Sequence, residues 1–544
     1  MTMSQTRETL ACINPATFEQ FDEVPLATAE EVTAARREMG AAALIWAAKP
    51  VKERVRIIRR LQEEIIDSVD EITAVINKDH GKSRQDAAAE VLMTVDKIHQ
   101  YLKRAPKWLK ERSVPRGIYF FRKYSVEPRP YGVVLVIGPW NYPFELIVPA
   151  TVSALLAGNT VLVKPSEVAA STGVLIEQLF QRIPELAPFV RFLHGDGRVG
   201  AALVDSRPDL IFLTGSTKTG QIVAQKAAET MTPFLCELGG KDPMIVLEDA
   251  DIPAAAKWGV WSAATFNTGQ SCVAVERIYV VEDVYDEFVQ LAVEEAKKVK
   301  MGYTASKECF YNMGPLTFQR QVDIVEDQLQ DALAKGARII HGGSRDGMYM
   351  EPTILIDVDH TMKVMRDETF GPLIPIMKVK DENHAVQLAN HSDFGLSAYV
   401  WSGSRKRAER IARRLDVGTV NINDVMVNYP VSLLPFGGVK MSGNARTHGK
   451  EEVMQFTQLR SYAVGRPPIP FDVSTMLRYP NRYWLMVAVI RSIFGVSPRQ
   501  RVQPVKDLVE EKEFGAKAGK AVFATGALAA LAAIAFGLIR FRRN

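Results

Sequence analysis

Three residues in this 544-residue chain are of types that could carry out covalent chemistry on a carbonyl. Cys272, in "FNTGQSCVAVER", follows a glycine and sits among small residues that leave its sulfur room to meet a substrate. A cysteine becomes a nucleophile when its thiolate is favoured and accessible. Glu237, in "LCELGGKDP", is a carboxylate among apolar residues just ahead of two glycines, with Leu238 between. Burial would raise its pKa towards the range of a general base, and the glycines would let another backbone or a ligand come close. Asn141, in the turn "GPWNYPF", offers a side-chain amide that could donate to a developing oxyanion, with Gly138, Pro139 and Pro143 fixing its direction. Taken one at a time, each has a plainer reading: a small core residue, a salt-bridged glutamate, a rigid turn packed by Trp140 and Tyr142. Cys12, Cys236 and Cys309 are read as core cysteines.

The elements that must position these residues are legible in the hydrophobic pattern. From Tyr131 onward, short β-branched runs, "GVVLVIG", "TVLVKPS", "RFLHGD", "DLIFLTGS" and "MIVLED", alternate with stretches long enough for helices, which predicts a parallel sheet in a doubly wound α/β domain. A second series, "RIYVVED", "TILIDV", "LIPIMKV", "SAYVWS" and "TVNIND", predicts a second such domain. Ahead of both, apolar residues from Val51 to Ile76 recur at helical spacing, with Pro50 at the start. Two strand ends, "VKPSE" and "FLTGSTKTG", supply Lys164, Glu167, Gly215 and Ser216, types that bind sugar hydroxyls and phosphate beside a helix start. "GSTKTG" is not the GxGxxG fingerprint, so by itself it is a weak dinucleotide signal.

Composition narrows the partners. Hydrophobic residues at 47%, charged residues at 24% and a net charge of +4 are ordinary globular values without the basic excess of a nucleic-acid binder. No nucleic acid is expected, and small molecules are. The four cysteines are far apart without metal-ligand spacing, and the polar start lacks the apolar core of a signal peptide. No metal is expected, and the compartment is expected to be reducing.

Taken together and in order, "GPWNYPF", "KPSE", "FLTGST", "ELGGK", "FNTGQSC", "ETFGP" and "PFGG" resemble the aldehyde dehydrogenase superfamily over roughly Asn14 to Tyr462. "HGK" near His448 and "LRYP" near Arg478 look most like the class 3 fatty aldehyde branch, whereas the front resembles the longer general family. The resemblance implies a fold of two doubly wound α/β domains with a small oligomerisation element. It implies a cofactor-binding domain over 1–238 with an oligomerisation segment near 122–131, a catalytic domain over 239–435 and a bridging segment over 436–465. It also implies Cys272 as nucleophile, Asn141 as oxyanion donor and Glu237 as base. Trp140, Lys164, Glu167, Gly215, Ser216, Glu368 of "ETFGP" and Phe370 match cofactor contacts. NAD is the expected cofactor because Glu167 could bond a free ribose 2'-hydroxyl and would repel a 2'-phosphate; NADP is possible because Lys164 is near. A homodimer is expected.

The chain ends in "AVFATGALAALAAIAFGLIRFRRN". The uncharged run 521–539 would rise about 28 Å as a helix, against roughly 30 Å of bilayer hydrocarbon. It is expected to be a transmembrane anchor behind a linker over 466–520, in which the apolar stretch 484–496 would lie at the interface. An anchor would make the protein membrane-associated, with its catalytic part facing the cytoplasm, and would suit medium- to long-chain aliphatic aldehydes. Aromatic, semialdehyde or apocarotenoid substrates, or a membrane-bound scaffold that has lost catalysis, are the alternatives.

Overall fold

The computed structural model describes residues 7–116, 122–465 and 483–502. These fall into two units, one within Met1–Leu109 and Pro128–Gln458, the other within Lys110–Glu127 and Leu459–Asn544.

The first unit contains two large sheets. Five parallel strands form one, in the order Val190–Phe192, Thr160–Lys164, Val133–Ile137, Leu210–Thr214 and Phe234–Glu237. Its residues alternate between two cores, as period-two side chains must. Val134, Val136, Val161 and Val163 pack with the front-end helices, while Val133, Leu135, Leu162 and Ile211 pack with helices Ala29–Ala48, Gly197–Asp205 and Thr217–Ala228. Both faces are buried, which is why these strands read as unbroken apolar runs. The order reverses at Val133–Ile137, whose neighbours lead away in opposite directions. That is a topological switch point, where open α/β sheets bind ligands beyond the carboxyl ends of their strands.

The second sheet has seven strands, in the order Arg338–His341, Thr353–Ile356, Leu373–Val379, Arg277–Val281, Pro243–Val246, Ser397–Trp401 and Thr419–Ile422, all parallel except the first pair. Here the sequence expectation needs correcting. "MIVLED" belongs to this second sheet, paired with Arg277–Val281 and Ser397–Trp401, and the fifth strand of the first sheet is Phe234–Glu237. Strand composition alone carries no information on which sheet an apolar run joins. The first sheet thus ends at Glu237 and the second begins at Pro243, within the same unit.

The predicted front helix is two helices, Val51–Asp67 and Val69–His80, broken at Ser68, with Pro50 just outside the first turn. Both keep the apolar stripe in register, which is why one periodicity runs through the break. The second ends on Gly81 in the left-handed conformation (φ 84°), and helix Arg84–Trp108 starts at once, capped by Ser83. A Cβ on Gly81 would meet Pro315 at 2.7 Å and Pro15 at 2.9 Å.

Thr457–Val464, Lys123–Pro130 and Arg112–Ser113, most of whose residues lie in the second unit, make a three-stranded sheet. Helix Tyr483–Phe494 covers most of the apolar stretch 484–496, and Tyr483, Ile490 and Phe494 on it are exposed. Among the described residues no helix is long and apolar enough to cross a membrane. The expected anchor at 521–539 lies outside the described residues.

Gly81→Ala should lower the thermal midpoint measurably, because the positive φ costs about 1 kcal/mol for a residue with a Cβ and the two prolines leave that Cβ no room. A melting curve that superimposes on the parent would show that the turn relaxes freely.

Candidate active site

The carboxyl ends of the first sheet and the amino ends of the second wall one cavity of about 870 Å³. From the first sheet come Trp140 and Asn141 after Val133–Ile137, Lys164 and Glu167 after Thr160–Lys164, Gly215 and Ser216 after Leu210–Thr214, and Glu237 itself. From the second come Cys272, just ahead of Arg277–Val281, and Glu368 and Phe370, just ahead of Leu373–Val379. All ten residues singled out in the sequence therefore line the same cavity, of the size that holds a small molecule or cofactor.

Cys272 is half-buried, at the end of a loop with three successive left-handed residues, Asn267 (φ 50°), Thr268 (φ 59°) and Gly269 (φ 70°). Such backbone costs of the order of 1–3 kcal/mol per non-glycine residue and persists only where its surroundings fix it. The fixing is visible. Asn267 Nδ2 donates to Gln270 O at 2.9 Å, Gln270 Nε2 to Asn267 O at 3.1 Å, Thr317 N to Gln270 Oε1 at 2.9 Å and Thr268 Oγ1 to Gly314 O at 3.0 Å. A π-helical turn, Trp261–Thr265, leads into the loop.

Glu237 ends its strand buried, with Oε1 lacking any hydrogen-bond partner among the described residues and the Cys272 thiol interacting with the carboxyl. Burial pushes its pKa up to about 8, contact with Cys272 works against this, and the nearby Glu368 adds to it. Burial also pushes the Cys272 thiol well above its ordinary value, and Glu237 raises it further. The site therefore does not favour a resting thiolate, contrary to what a nucleophile read from sequence suggests. The sulfur must instead give its proton to a neighbouring base as it reacts, and Glu237 is in place for that.

The two glycines after Glu237 have separate jobs. A Cβ on Gly239 would lie 2.2 Å from the Glu368 carboxyl, and one on Gly240 would lie 2.9 Å from Cys272 O. Gly240 N donates to Glu368 Oε1 at 2.9 Å. Burial, helped by Glu276, holds the Glu368 pKa up at about 8.

On the cofactor side, Trp140 packs edge-on against Phe370 and Phe318, with ring centroids 5.4 and 5.0 Å apart, and stacks on His80 at 5.8 Å. Lys164 Nζ bonds Pro165 O at 2.9 Å and Glu167 Oε2 at 3.1 Å. Ser216 caps helix Thr217–Ala228, whose amino end opens on the cavity, and a Cβ on Gly215 would meet nothing within 4 Å. An open helix start, a polar pair and an aromatic floor fit the phosphates, ribose and ring of a dinucleotide.

Sequence reasoning missed the ion pairs that hold these loops. Lys241 Nζ bonds Glu276 Oε2 at 2.6 Å and Thr369 Oγ1 at 2.9 Å, and Glu276 accepts Thr369 N at 3.0 Å and Phe370 N at 2.9 Å. It also missed Lys82, Glu90, Lys97 and Glu145 beneath Asn141. The available signal was charge inside otherwise glycine-rich or apolar motifs, as in "GGKD" and "PFEL".

Comparison with known proteins agrees with this geometry. The family described as the aldehyde dehydrogenase family matches residues 1–462. A 4,4'-diapolycopene aldehyde oxidase from Methylomonas sp is 42% identical over 469 residues, covering 85% of this chain and 87% of that protein. A Mycobacterium ulcerans (strain Agy99) protein provisionally described as a succinate-semialdehyde dehydrogenase using NADP(+) is 34% identical over 484 residues, covering 88% and 92%. Among solved structures, an aldehyde dehydrogenase from Brucella melitensis biovar abortus 2308 aligns with a TM-score of 0.81 at 30% identity over 85% of this chain and 95% of that one. An Escherichia coli NADP-dependent enzyme aligns with a TM-score of 0.80 at 30% identity over 84% and 95%. The chain belongs to the aldehyde dehydrogenase family and is an NAD(P)-dependent oxidoreductase.

Proposed function

We propose that the protein oxidises long, apolar aldehydes to carboxylic acids, with Cys272 as nucleophile, Asn141 as oxyanion donor and Glu237 as base. Bound NAD(P) supplies the hydride acceptor. The Cys272 sulfur attacks the carbonyl carbon, and its proton passes to Glu237. Charge that appears on the carbonyl oxygen meets the Asn141 amide and the Cys272 backbone N–H. Loss of hydride leaves a thioester on Cys272; Glu237 releases the first proton to solvent and, again a carboxylate, takes one from the water that cleaves the C–S bond and returns it to the departing sulfur. Trp140 and Phe370 would hold the nicotinamide end, Glu368 its ribose, and Lys164, Glu167, Gly215 and Ser216 the adenosine end. Glu167 favours NAD over NADP.

The observation that carries the substrate class is a row of rings beside Cys272. Tyr142 stacks on Phe266 (centroids 6.2 Å apart), Phe266 on Trp261 (4.8 Å), and Trp261 meets Trp258 edge-on (5.4 Å). Exposure is 8% at Tyr142 and 37% at Trp258, so the row leads from the buried site to the surface. Phe266, Trp261, Cys272 and Tyr429 pack against one apolar core, and exposed Val427, Val431, Leu433 and Leu434 follow in the same segment as Tyr429. Such a wall suits a chain with little polarity along its length. Fatty aldehydes fit it, in keeping with the "HGK" and "LRYP" motifs of the class 3 branch. Polyene aldehydes of the apocarotenoid kind are a second reading, favoured by the relative that is 42% identical.

The terminal run 521–539 supports a membrane anchor that keeps the catalytic part on the cytoplasmic side, next to lipid-soluble aldehydes. Strand Thr457–Val464 supports a homodimer: among the described residues it is the edge of its sheet, and it exposes Leu459, Tyr462 and Val464, to which a second copy could pair.

Three outcomes follow. Turnover limited by thioester hydrolysis should rise with pH through about 8, since Glu237 accepts a proton only as the carboxylate; Glu237→Gln should remove that rise and slow both formation of the acyl-enzyme and release of acid, the latter about 10²- to 10⁴-fold. A variant whose pH profile matches the parent would exclude Glu237 as the base. Trp261→Ala should lower kcat/KM at least about tenfold for dodecanal or retinal, through lost aromatic contact, while butanal oxidation is unaffected; equal losses on short and long substrates would exclude the ring row as a chain site. Truncation before Phe514 should release active enzyme from the membrane fraction, and a truncated enzyme that still sediments with membranes would refute the anchor.

A further inference from the structure

Beneath the Asn141 turn lies a buried ion pair with no part in the steps above. Gly81 turns the chain out of helix Val69–His80, and the next residue, Lys82, points inward with 3% exposure. Its Nζ donates to Asn141 O at 2.7 Å and to Glu90 Oε2 at 3.1 Å, and lies 4.4 Å from the centre of the Tyr142 ring. Glu90, wholly buried on helix Arg84–Trp108, turns its other oxygen to the same turn and accepts Phe144 N at 2.8 Å and Glu145 N at 3.1 Å.

The Cys272 loop grips Asn141 from elsewhere. Asn267 Nδ2 reaches Asn141 O at 3.4 Å, and Asn141 Nδ2 donates to Gln270 O at 3.3 Å. A side-chain amide nitrogen has two hydrogens. One is committed to Gln270, which leaves one for the substrate oxygen, and its aim depends on how the Asn141 backbone is held.

Burying an ammonium and a carboxylate carries a desolvation penalty that a well-packed apolar pair would avoid, so bulk stability is a poor reason for this pair. What the charges add is direction. A cation on the Asn141 carbonyl and an anion on the next two N–H groups but one fix both the position and the tilt of the turn, which an apolar filler would leave free to rock.

We propose that Lys82, braced by Glu90, is a positioning residue for the oxyanion contact, holding the Asn141 backbone so that the free amide hydrogen points at the aldehyde oxygen. This rests on the role given to Asn141 under the proposed function. A misplacement of about 1 Å at a reacting centre can cost on the order of 10²-fold in rate.

The test is the rate of the first NADH burst, which reports acylation, in Lys82→Met, Asn141→Ala and the double variant. Lys82→Met should slow the burst about ten- to a hundredfold with KM for the aldehyde nearly unchanged. The double variant should be no slower than Asn141→Ala alone, because the lysine acts through the asparagine. Alkylation of Cys272 by iodoacetamide forms no oxyanion and should keep its parental rate in Lys82→Met, whereas general collapse of the site would slow it too. A parental burst in Lys82→Met, or a double variant slower by the product of the two single losses, would overturn the inference while leaving Asn141 in its role. A parental burst in Asn141→Ala would overturn that role and the inference with it. If Lys82→Met does not fold, Glu90→Gln carries the same cycle: a slowed burst absent from the Asn141→Ala background supports the brace, and a parental burst overturns it.

Discussion

Backbone proximity at Gly239 and Gly240 is the constraint on which this active site depends. Glu368 and the Cys272 carbonyl stand where side chains at those two positions would be, so three loops from two sheets close on a single point. The closure buries Glu237, Glu368 and Cys272 together, and burial pushes the pKa of all three upward, to about 8 for the two glutamates. The acid–base character of the site is thus a consequence of how closely the chain can pack around two residues that lack a side chain.

Charge inside this closed region is arranged as braces. Lys82 with Glu90, Lys97 with Glu145, and Lys241 with Glu276 are each buried, and each grips the backbone or side chains of a loop that lines the cavity. In a dry interior a charge-assisted hydrogen bond is directional and strong, while an unpaired charge is heavily penalised, so such pairs hold one geometry against many. Glu237, the carboxyl that does chemistry, keeps one oxygen without a hydrogen-bond partner among the described residues.

Much of the site was legible in the sequence because its parts sit at strand ends, where an unbroken apolar run meets glycine, proline and polar residues. Cys272, Glu237, Asn141 and the cofactor-side residues all come from such junctions and converge on one cavity. What was hidden depended on tertiary placement. "MIVLED" looks like any buried strand, and only the pairing of Met244 with Ile278 and Tyr399 shows which sheet it completes. The raised pKa of Cys272 was illegible because it arises first from burial and then from Glu237, Asp242 and Glu368, residues brought near by folding. Lys82 and Glu90 were passed over because an isolated lysine and glutamate on a helical front end usually face solvent.

Helix Arg84–Trp108 carries Glu90 and Lys97 two turns apart on one face, and both reach the turn that bears Asn141. Seven residues is close to two turns of 3.6, so the interval works as a ruler set by helix geometry. Of the side chains between the two marks, Leu92 is exposed, while Val91 and Thr94 are buried. A single inserted or deleted residue would rotate one mark by about 100° relative to the other, so this stretch of the front end is constrained in length.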